Sequence, residues 1–327
     1  MKKKSKRILT GIQSTGTPHL GNILGAIIPA IQMSQMKNSE SYLFIADLHS
    51  ITQIKDHKIL SHNTYATAAA WLAFGLDYKK TIFYRQSDIP QVTELAWYLS
   101  CYFPYQRLTL AHSFKDKQDR LQDVNSGLFN YPMLMAADIL LYDANVVPVG
   151  KDQLQHLEIT RDVANRFHNI NGETFIVPQS DLNNKNMSIP GTDGQKMSKS
   201  KNNIIDVFLD EKKLKKQIQT IKTDSTPIDA PKDWKTCNLF NIYKLIASKP
   251  EIADIKSKYE RGGYGYGQAK EELFALILNK FSKERQEFNH YLNNLDEIDK
   301  ILDAGATKAK ETADTVLKRV RKKLGYN

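Results

Sequence analysis

One stretch near the start, residues 9–36, constrains the fold more than any other. A short apolar run ends at Thr10 and predicts a strand, and Gly11 and Gly16 bracket the polar loop that follows. Pro18 stands where a helix can begin, because its missing N–H costs nothing at that position. Residues 23–36 then keep the apolar spacing of a helix. A strand, a tight loop and a helix N-terminus together favour a phosphate ligand, because the first N–H groups of the helix point at it.

Two residues at the start of this helix add chemistry to the pattern. His19 is predicted to lie in the first helical turn, where it can donate a hydrogen bond to a phosphate oxygen. Gly21 costs the helix about 1 kcal/mol relative to alanine, so its lack of a side chain suggests a need, such as an adenine ring against the backbone. An ordinary strand-to-helix turn with a surface histidine is the alternative. Pro-His-Leu-Gly-Asn resembles the "HIGH" motif of class I aminoacyl-tRNA synthetases and related nucleotidylyl transferases.

The first half of the chain alternates strand and helix patterns. Strands are predicted at residues 41–46, 81–84 and 146–149, and a helix at residues 59–74. Polar clusters follow each of these strands, at the edge where open α/β sheets bind ligands. We expect a Rossmann-like, doubly wound α/β domain with a parallel sheet over residues 1–206, interrupted by a helical insertion at about residues 95–141.

The second half carries helix patterns only. Helices are predicted at residues 209–221, 239–247, 252–259, 269–293 and 295–324. The glycine-rich residues 261–267 lack the lysine and preceding strand of a phosphate loop, so they are interpreted as a connection. This change predicts a C-terminal α-helical domain over residues 207–327, whose last helix could pack back on the first domain.

Charge and cysteine content limit the possible partners. The chain has 46 basic and 36 acidic residues, a formal charge of +10, which is compatible with a polyanionic partner. Cys101 and Cys237 lie far apart, which predicts a reducing compartment, no disulfide framework and no zinc site. The sequence contains neither a signal-peptide core nor a run of about 18 apolar residues, so we expect a cytoplasmic protein without membrane association.

A second motif, Lys196-Met197-Ser198-Lys199-Ser200, follows the predicted α/β domain. Two lysines on a mobile loop can neutralise the charge that develops as pyrophosphate leaves a triphosphate. A solvated basic linker is the alternative. With Pro-His-Leu-Gly-Asn upstream, the two motifs stand in the order of a class I aminoacyl-tRNA synthetase, which the chain resembles.

Residues 130–141, where Asn130-Tyr131-Pro132 is predicted to open a helix, suggest which amino acid is bound. Tyr131, Met135 and Asp138 fall on one face of a predicted helix, and Asp138 needs a donor because its neighbours are apolar. An indole N–H donates without accepting, and the Met135 thioether suits a ring edge. A salt-bridged structural aspartate is the alternative. Residues 131–140, 47–52 and 147–162 resemble segments of bacterial tryptophanyl-tRNA synthetases, whose tyrosine-specific sisters typically carry glutamine at the position of Met135.

The resemblance implies site roles residue by residue. It implies catalytic roles for His19, Lys115, Lys196 and Lys199. It implies ATP contacts at Gln13, Ser14, Thr15, Gly21, Asn22, Gly150, Lys151, Asp152, Met187, Lys196, Met197, Ser198, Lys199 and Ser200. It implies tryptophan contacts at Tyr131, Met135, Asp138 and Gln153, and no metal-ligating side chain. Many relatives carry glutamate at the position of Lys151. An ATP contact made by the backbone would survive this change, whereas one made by the side chain would not.

The activity implied is that of a tryptophan–tRNA ligase, which forms tryptophanyl-adenylate from L-tryptophan and ATP with Mg²⁺ and then charges tRNA(Trp). The resemblance further implies a homodimer and a helical domain that meets the anticodon. Eight lysines in residues 196–222 and the basic residues 318–323 could bind RNA phosphates or form an ordinary solvated face. The alternatives are a cofactor-making nucleotidylyl transferase, a non-enzymatic paralogue and a tyrosine-activating enzyme, which Met135 opposes.

Overall fold

A computed structural model describes residues 6–109, 125–148, 150, 153–180 and 188–326. Its five strands form one parallel sheet in the order β3-β2-β1-β4-β5. The strands are β1 Lys6–Ile12, β2 Ser39–Ile45, β3 Ile82–Arg85, β4 Val146–Val147 and β5 Gln179–Ser180. The predicted α/β fold class is therefore confirmed.

The sheet is buried on both faces, as β2 illustrates. Its Tyr42 and Phe44 belong to one apolar cluster, whereas Leu43 and Ile45 belong to the other. Alternate side chains of a strand point to opposite faces, so helices cover both sides. This explains why the strand reads in the sequence as an unbroken apolar run.

The strand order reverses between β1 and β4. The chain moves outward from β1 to β2 and β3, then returns to place β4 on the other side of β1. Loops that leave the carboxyl ends of β1 and β4 therefore diverge and open a crevice, which is where open α/β sheets bind ligands. β1 ends at Ile12 and β4 ends at Val147, on the two sides of this reversal.

The helices surround the sheet, and the described chain after Ser180 consists of helices, turns and loops with an isolated antiparallel bridge between Pro190 and Lys196. The α-helices of four or more residues are Ile28–Ser34, Asp47–Ser50, His57–Ala73, Gln91–Tyr102, Tyr105–Leu108, Ser126–Leu140, Leu154–Asn171, Glu211–Gln219, Asn238–Tyr243, Lys249–Arg261, Tyr266–Lys280, Ser282–Asn293 and Leu295–Lys323. A shorter helix, Leu20–Asn22, continues through a π-helical turn, Ile23–Ile27, into Ile28–Ser34.

Several predicted bounds need correction. The first helix begins at Leu20, not at Pro18, and the predicted helix 269–293 is two helices that meet at Phe281. The buried Phe281 ring packs against Phe74 at a centroid distance of 5.8 Å. β4 ends at Val147, and the two-residue strand β5 was not predicted. Residues 262–265 form a connection between two helices, as predicted.

The helix Leu295–Lys323, here called the C-terminal helix, packs back onto the sheet. A Cβ atom at Gly305 would overlap the backbone carbonyl of Phe83 in β3, so only glycine allows this approach. The hydroxyl groups of Tyr42 and Thr312 form a hydrogen bond of 2.9 Å. The Arg85 guanidinium donates to the Asp299 carboxylate at 2.7 Å. One apolar cluster continues from the sheet past residue 207 into the later helices. No helix in the described ranges is long and apolar enough to cross a membrane.

Candidate active site

The loop after β1 ends in a helix cap built by His19. His19 is the N-cap residue rather than a member of the first turn, which corrects the sequence-based interpretation. Its Nδ1 atom accepts from the backbone N–H of Asn22 at 3.3 Å, and the Asn22 side chain accepts from the His19 N–H at 3.2 Å. These two residues, both predicted to line ATP, thereby fix each other.

The first N–H groups of this helix have protein partners, which corrects the expectation that they are free for a phosphate. Leu20 donates to the backbone oxygen of Ile205 at 2.8 Å, and Gly21 donates to the sulfur of Met197 at 3.2 Å. A Cβ at Gly21 would come within 3.2 Å of Met197 and 3.0 Å of the His19 ring. The two predicted ATP motifs therefore meet, although they lie far apart in the chain.

Lys199 completes this junction. Its Nζ atom donates to the backbone oxygen of Gly16 at 2.7 Å, where Gly16 has a positive φ of 139°. Burial lowers the pKa of Lys199 to about 8, and the carboxylate of Asp206 opposes that shift. Burial, with a smaller contribution from the Lys199 charge, lowers the pKa of His19 to about 4. His19 is therefore neutral at physiological pH, and a neutral imidazole can still donate one hydrogen bond.

The remaining predicted ATP-loop residues differ in exposure. Gln13 is exposed and Thr15 is half-buried, whereas the Ser14 side chain is buried. The Ser14 hydroxyl lies 3.1 Å from that of Ser50 and accepts from Thr64 at 3.2 Å. Ser14 thus ties the loop to the helices behind it.

Asp138 lies at the centre of a second buried cluster. The helix Ser126–Leu140, here called the pocket helix, carries it at 3% exposure. The Gln86 amide donates to both carboxylate oxygens at 2.8 Å, and Nε2 of His49 lies 2.9 Å from Oδ2. Burial raises the pKa of Asp138, while the bonds from His49 and Gln86 lower it. The donors that a carboxylate needs among apolar neighbours are thus present.

Asp47 links the ends of β2 and β3 next to His49 and Gln86 in the chain. Asp47 accepts from the backbone N–H of Ser87 at 2.9 Å and from its hydroxyl at 2.5 Å. The Gln86 amide oxygen in turn accepts from the backbone N–H of His49 at 3.4 Å. Sequence reasoning missed His49 and Gln86 as site residues, although both follow strand ends, where polar clusters mark ligand sites.

Tyr131 is the second predicted tryptophan contact on the pocket helix. Its hydroxyl lies 2.5 Å from Nε2 of His156, and its ring meets that of His49 edge-on at 6.2 Å. His156 stands one turn into the helix Leu154–Asn171, whose N-cap is Gln153, a predicted ammonium contact. Gln153 donates its backbone N–H to Gly150 at 2.9 Å. Tyr131, Asp138 and the Gln153 segment therefore surround one region, with Met135 partly buried beside them.

The other predicted residues fall into two groups. Lys115, Lys151, Asp152 and Met187 lie outside the described residues. Lys196 and Ser200 are exposed, Ser198 is half-buried, and the two serine hydroxyls lie 2.9 Å apart. In the described part of the chain, no group of three or more His, Cys, Asp or Glu side chains could hold a metal ion.

Comparison with known proteins now identifies the family. A family model described as tRNA synthetases class I (W and Y) matches residues 1–282. The tryptophan–tRNA ligase of Campylobacter jejuni is 44% identical over 319 residues, which is 98% of this chain and 99% of the relative. That of Rhodopirellula baltica is 43% identical over 319 residues, with the same coverage. This chain belongs to the tryptophanyl-tRNA synthetase family.

Solved structures support the assignment of this synthetase. The crystal structure of the Campylobacter jejuni enzyme complexed with ADP and tryptophan matches with a TM-score of 0.93 and 44% identity, covering 98% of this chain and 99% of that one. The Mycoplasma pneumoniae enzyme matches with a TM-score of 0.81 and 29% identity, covering 99% and 98%. The predicted family, Rossmann-like fold and ligase class are confirmed.

Proposed function

We propose that this synthetase activates L-tryptophan with ATP, forming tryptophanyl-adenylate and pyrophosphate, and then transfers tryptophan to tRNA(Trp) in the cytoplasm. The observation that carries the proposal is the buried Asp138 carboxylate, held by His49 and Gln86, which follow the carboxyl ends of β2 and β3. The complex of the Campylobacter jejuni enzyme with ADP and tryptophan supports the same pair of ligands for a chain of this fold.

Asp138 can distinguish indole from phenol. A carboxylate offers about four lone-pair sites, and the Gln86 and His49 donors leave room for one more N–H. The indole nitrogen only donates, so that acceptor satisfies it fully. A phenol hydroxyl would also require a donor. Met135 adds a polarizable, apolar neighbour for the ring edge.

The chemistry requires positioning and charge. The tryptophan carboxylate attacks the α-phosphorus of ATP, and the bond from that phosphorus to the bridging oxygen breaks to release pyrophosphate. Lys196 and Lys199, together with Lys115, are proposed to neutralise the charge on the departing oxygens. We propose that Mg²⁺ arrives with ATP, whose phosphate oxygens are ligands that this ion prefers.

The helical region beyond residue 206 is proposed to bind tRNA as a domain of its own. Lys212, Lys213, Lys215 and Lys216 are exposed on the helix Glu211–Gln219, a suitable contact for phosphates. Lys213 pairs with Asp210 and Lys215 pairs with Glu271, so Lys212 and Lys216 are the first candidates. The basic stretch 318–323 contributes less, because Arg319 pairs with Asp143 and Arg321 pairs with Glu94. Those two arginines hold the C-terminal helix against the sheet domain.

A homodimer is proposed to form through an apolar face beside the tryptophan pocket. Ile51, Trp97 and Tyr105 are 41%, 68% and 66% exposed, which is unusual for such large apolar side chains. Ile51 and Trp97 line an open groove of about 530 Å³, and Tyr131 lines the same groove. A second copy seated there would abut the tryptophan site, so the dimer would also shield it.

The test is amino-acid-dependent exchange between pyrophosphate and ATP, measured with each of the twenty amino acids and without tRNA. Exchange with tryptophan alone is the expected result. Exchange with tyrosine would contradict the role given to Asp138 and Met135. Absence of exchange with every amino acid, followed by absence of charging when tRNA(Trp) is added, would contradict the proposed activity.

A further inference from the structure

The segment that carries Lys196 and Lys199, residues 190–203 and here called the lysine loop, is built around one buried amide. Asn203 is only 2% exposed. Its Oδ1 atom accepts from the backbone N–H of Ser198 at 2.7 Å, and its Nδ2 atom donates to Oδ1 of Asp193 at 2.7 Å. Nδ2 also donates to the backbone oxygen of Lys196 at 3.2 Å. A single side chain therefore contacts three points of the loop.

Gly191 and Thr192, on the opposite side of the loop, pack closely against this amide. The backbone N–H of Thr192 donates to the backbone oxygen of Asn203 at 2.9 Å. The backbone N–H of Gly191 donates to the backbone oxygen of Gln195 at 2.6 Å. A Cβ at Gly191 would lie 2.5 Å from the Asn203 side chain, closer than real atoms approach. The loop is therefore a packed turn with a defined shape rather than an open linker.

The helical region forms hydrogen bonds with Gly191 and Thr192 of the same loop. The Asn238 side chain donates to the backbone oxygen of Gly191 at 2.9 Å and to that of Thr192 at 3.3 Å. The backbone N–H of Lys222 donates to the Thr192 oxygen at 2.7 Å. Because Asn238 begins the helix Asn238–Tyr243, the lysine loop is bonded directly to the part of the chain proposed to meet tRNA.

We propose that Asn203, Asp193 and Asn238 are positioning residues that hold the lysine loop in its active shape and couple it to the helical region. The proposal rests on the proposed function, since it concerns the lysines that meet the triphosphate. An amide is required at position 203 because it accepts on one atom and donates on the other. Aspartate would fit the space but would place its carboxylate against that of Asp193.

Loss of this arrangement is expected to affect ATP more than tryptophan. The Lys196 and Lys199 amines would sample many positions, so charge stabilisation would no longer be pre-organised. Asn203→Asp is expected to lower kcat for pyrophosphate exchange by tenfold or more, the scale of a lost buried hydrogen bond to a charged group. KM for ATP is expected to rise, whereas KM for tryptophan is expected to stay within about twofold, because Asp138 and Tyr131 lie on a separate helix.

The experiment compares Asn203→Asp, Asp193→Ala and Asn238→Ala with the wild-type chain in pyrophosphate exchange, with melting temperatures recorded for each. Asn241→Ala is the matched control, since Asn241 lies one turn further along the helix of Asn238 and pairs on the surface with Lys244. Asp193 and Asn238 are half-buried, so their variants keep the test open if the Asn203 variant fails to fold. The double variant Asp193→Asn/Asn203→Asp reverses the donor and acceptor and is expected to recover part of the lost kcat.

A second readout separates positioning from mere structural damage. If the loop opens, the Lys199 amine regains water, and its pKa should rise from about 8 toward 10.5, as measured by labelling of that lysine as a function of pH. Variants that fold, keep wild-type kcat and KM for ATP, and leave the Lys199 pKa unchanged would overturn the inference. An inactive wild-type chain in the same assay would instead count against the proposed function, so the two failures are distinguishable.

Discussion

The Nε2 atom of His49 lies 2.9 Å from Oδ2 of Asp138, although 89 residues separate them in the chain. Both side chains are more than nine-tenths buried. Because the carboxylate only accepts, this contact places the imidazole proton on Nε2. The bond fixes the carboxylate in one orientation and offsets part of the cost of burying its charge.

Replacing Asp138 tests whether its carboxylate recognises the indole N–H of tryptophan. Asp138→Ala is expected to raise KM for tryptophan by more than about tenfold, because the indole N–H would lose a buried, charged acceptor. Asp229→Ala is the matched control, since Asp229 is an exposed aspartate far along the chain from the pocket helix. Steady-state pyrophosphate exchange at varied tryptophan measures both. An unchanged KM in Asp138→Ala would refute the assignment.

Replacing His49 should change the pH dependence of tryptophan use. His49→Leu removes a contact that lowers the pKa of Asp138, while the burial that raises this pKa remains. The carboxylate would then become protonated at a higher pH, so the acid limb of kcat/KM for tryptophan should move upward in pH. His62→Leu, at an exposed position of the helix His57–Ala73, should leave that limb in place.

Lys199 should give the free enzyme an alkaline limit. With a pKa near 8, its amine is charged below that pH and becomes neutral as the pH rises through it. We therefore expect kcat/KM for ATP to fall above about pH 8. Lys199→Arg keeps its charge well beyond this range, so its alkaline fall should shift upward by more than one pH unit. Identical pH profiles for the two proteins would exclude Lys199 as the titrating group.

Local patterns predicted the sheet better than the site. β2 was located within two residues because a strand buried on both faces is a continuous apolar run. β5 consists of Gln179 and Ser180, and such a short polar pair carries no strand signal. The pairing of His49 with Asp138, like that of Tyr131 with His156, joins separate elements, so no spacing in the sequence encodes it. The motifs located Gly21 and Met197, but their contact appears only in the folded chain.

Gly305 should be essential for docking the C-terminal helix. Gly305→Ala places a methyl group on the carbonyl of Phe83, so the helix must move away from β3. We expect the free energy of unfolding to fall by about 2 kcal/mol or more. Gly267→Ala is the control, because nothing lies within 4 Å of its added Cβ in the helix Tyr266–Lys280. It should raise the free energy of unfolding by about 0.5–1 kcal/mol. Urea unfolding of both variants decides the question.

Trp97 should stabilise the proposed dimer. Trp97→Glu would place a charge on the apolar face that also contains Ile51 and Tyr105, and burying an unpaired carboxylate there is costly. Sedimentation velocity at micromolar concentration is expected to show a dimer for the wild-type chain and a monomer for this variant. Ile170→Glu is the matched control, since Ile170 is 72% exposed on the helix Leu154–Asn171 and does not line the groove. A dimer that survives Trp97→Glu but dissociates with Ile170→Glu would move the interface to that helix.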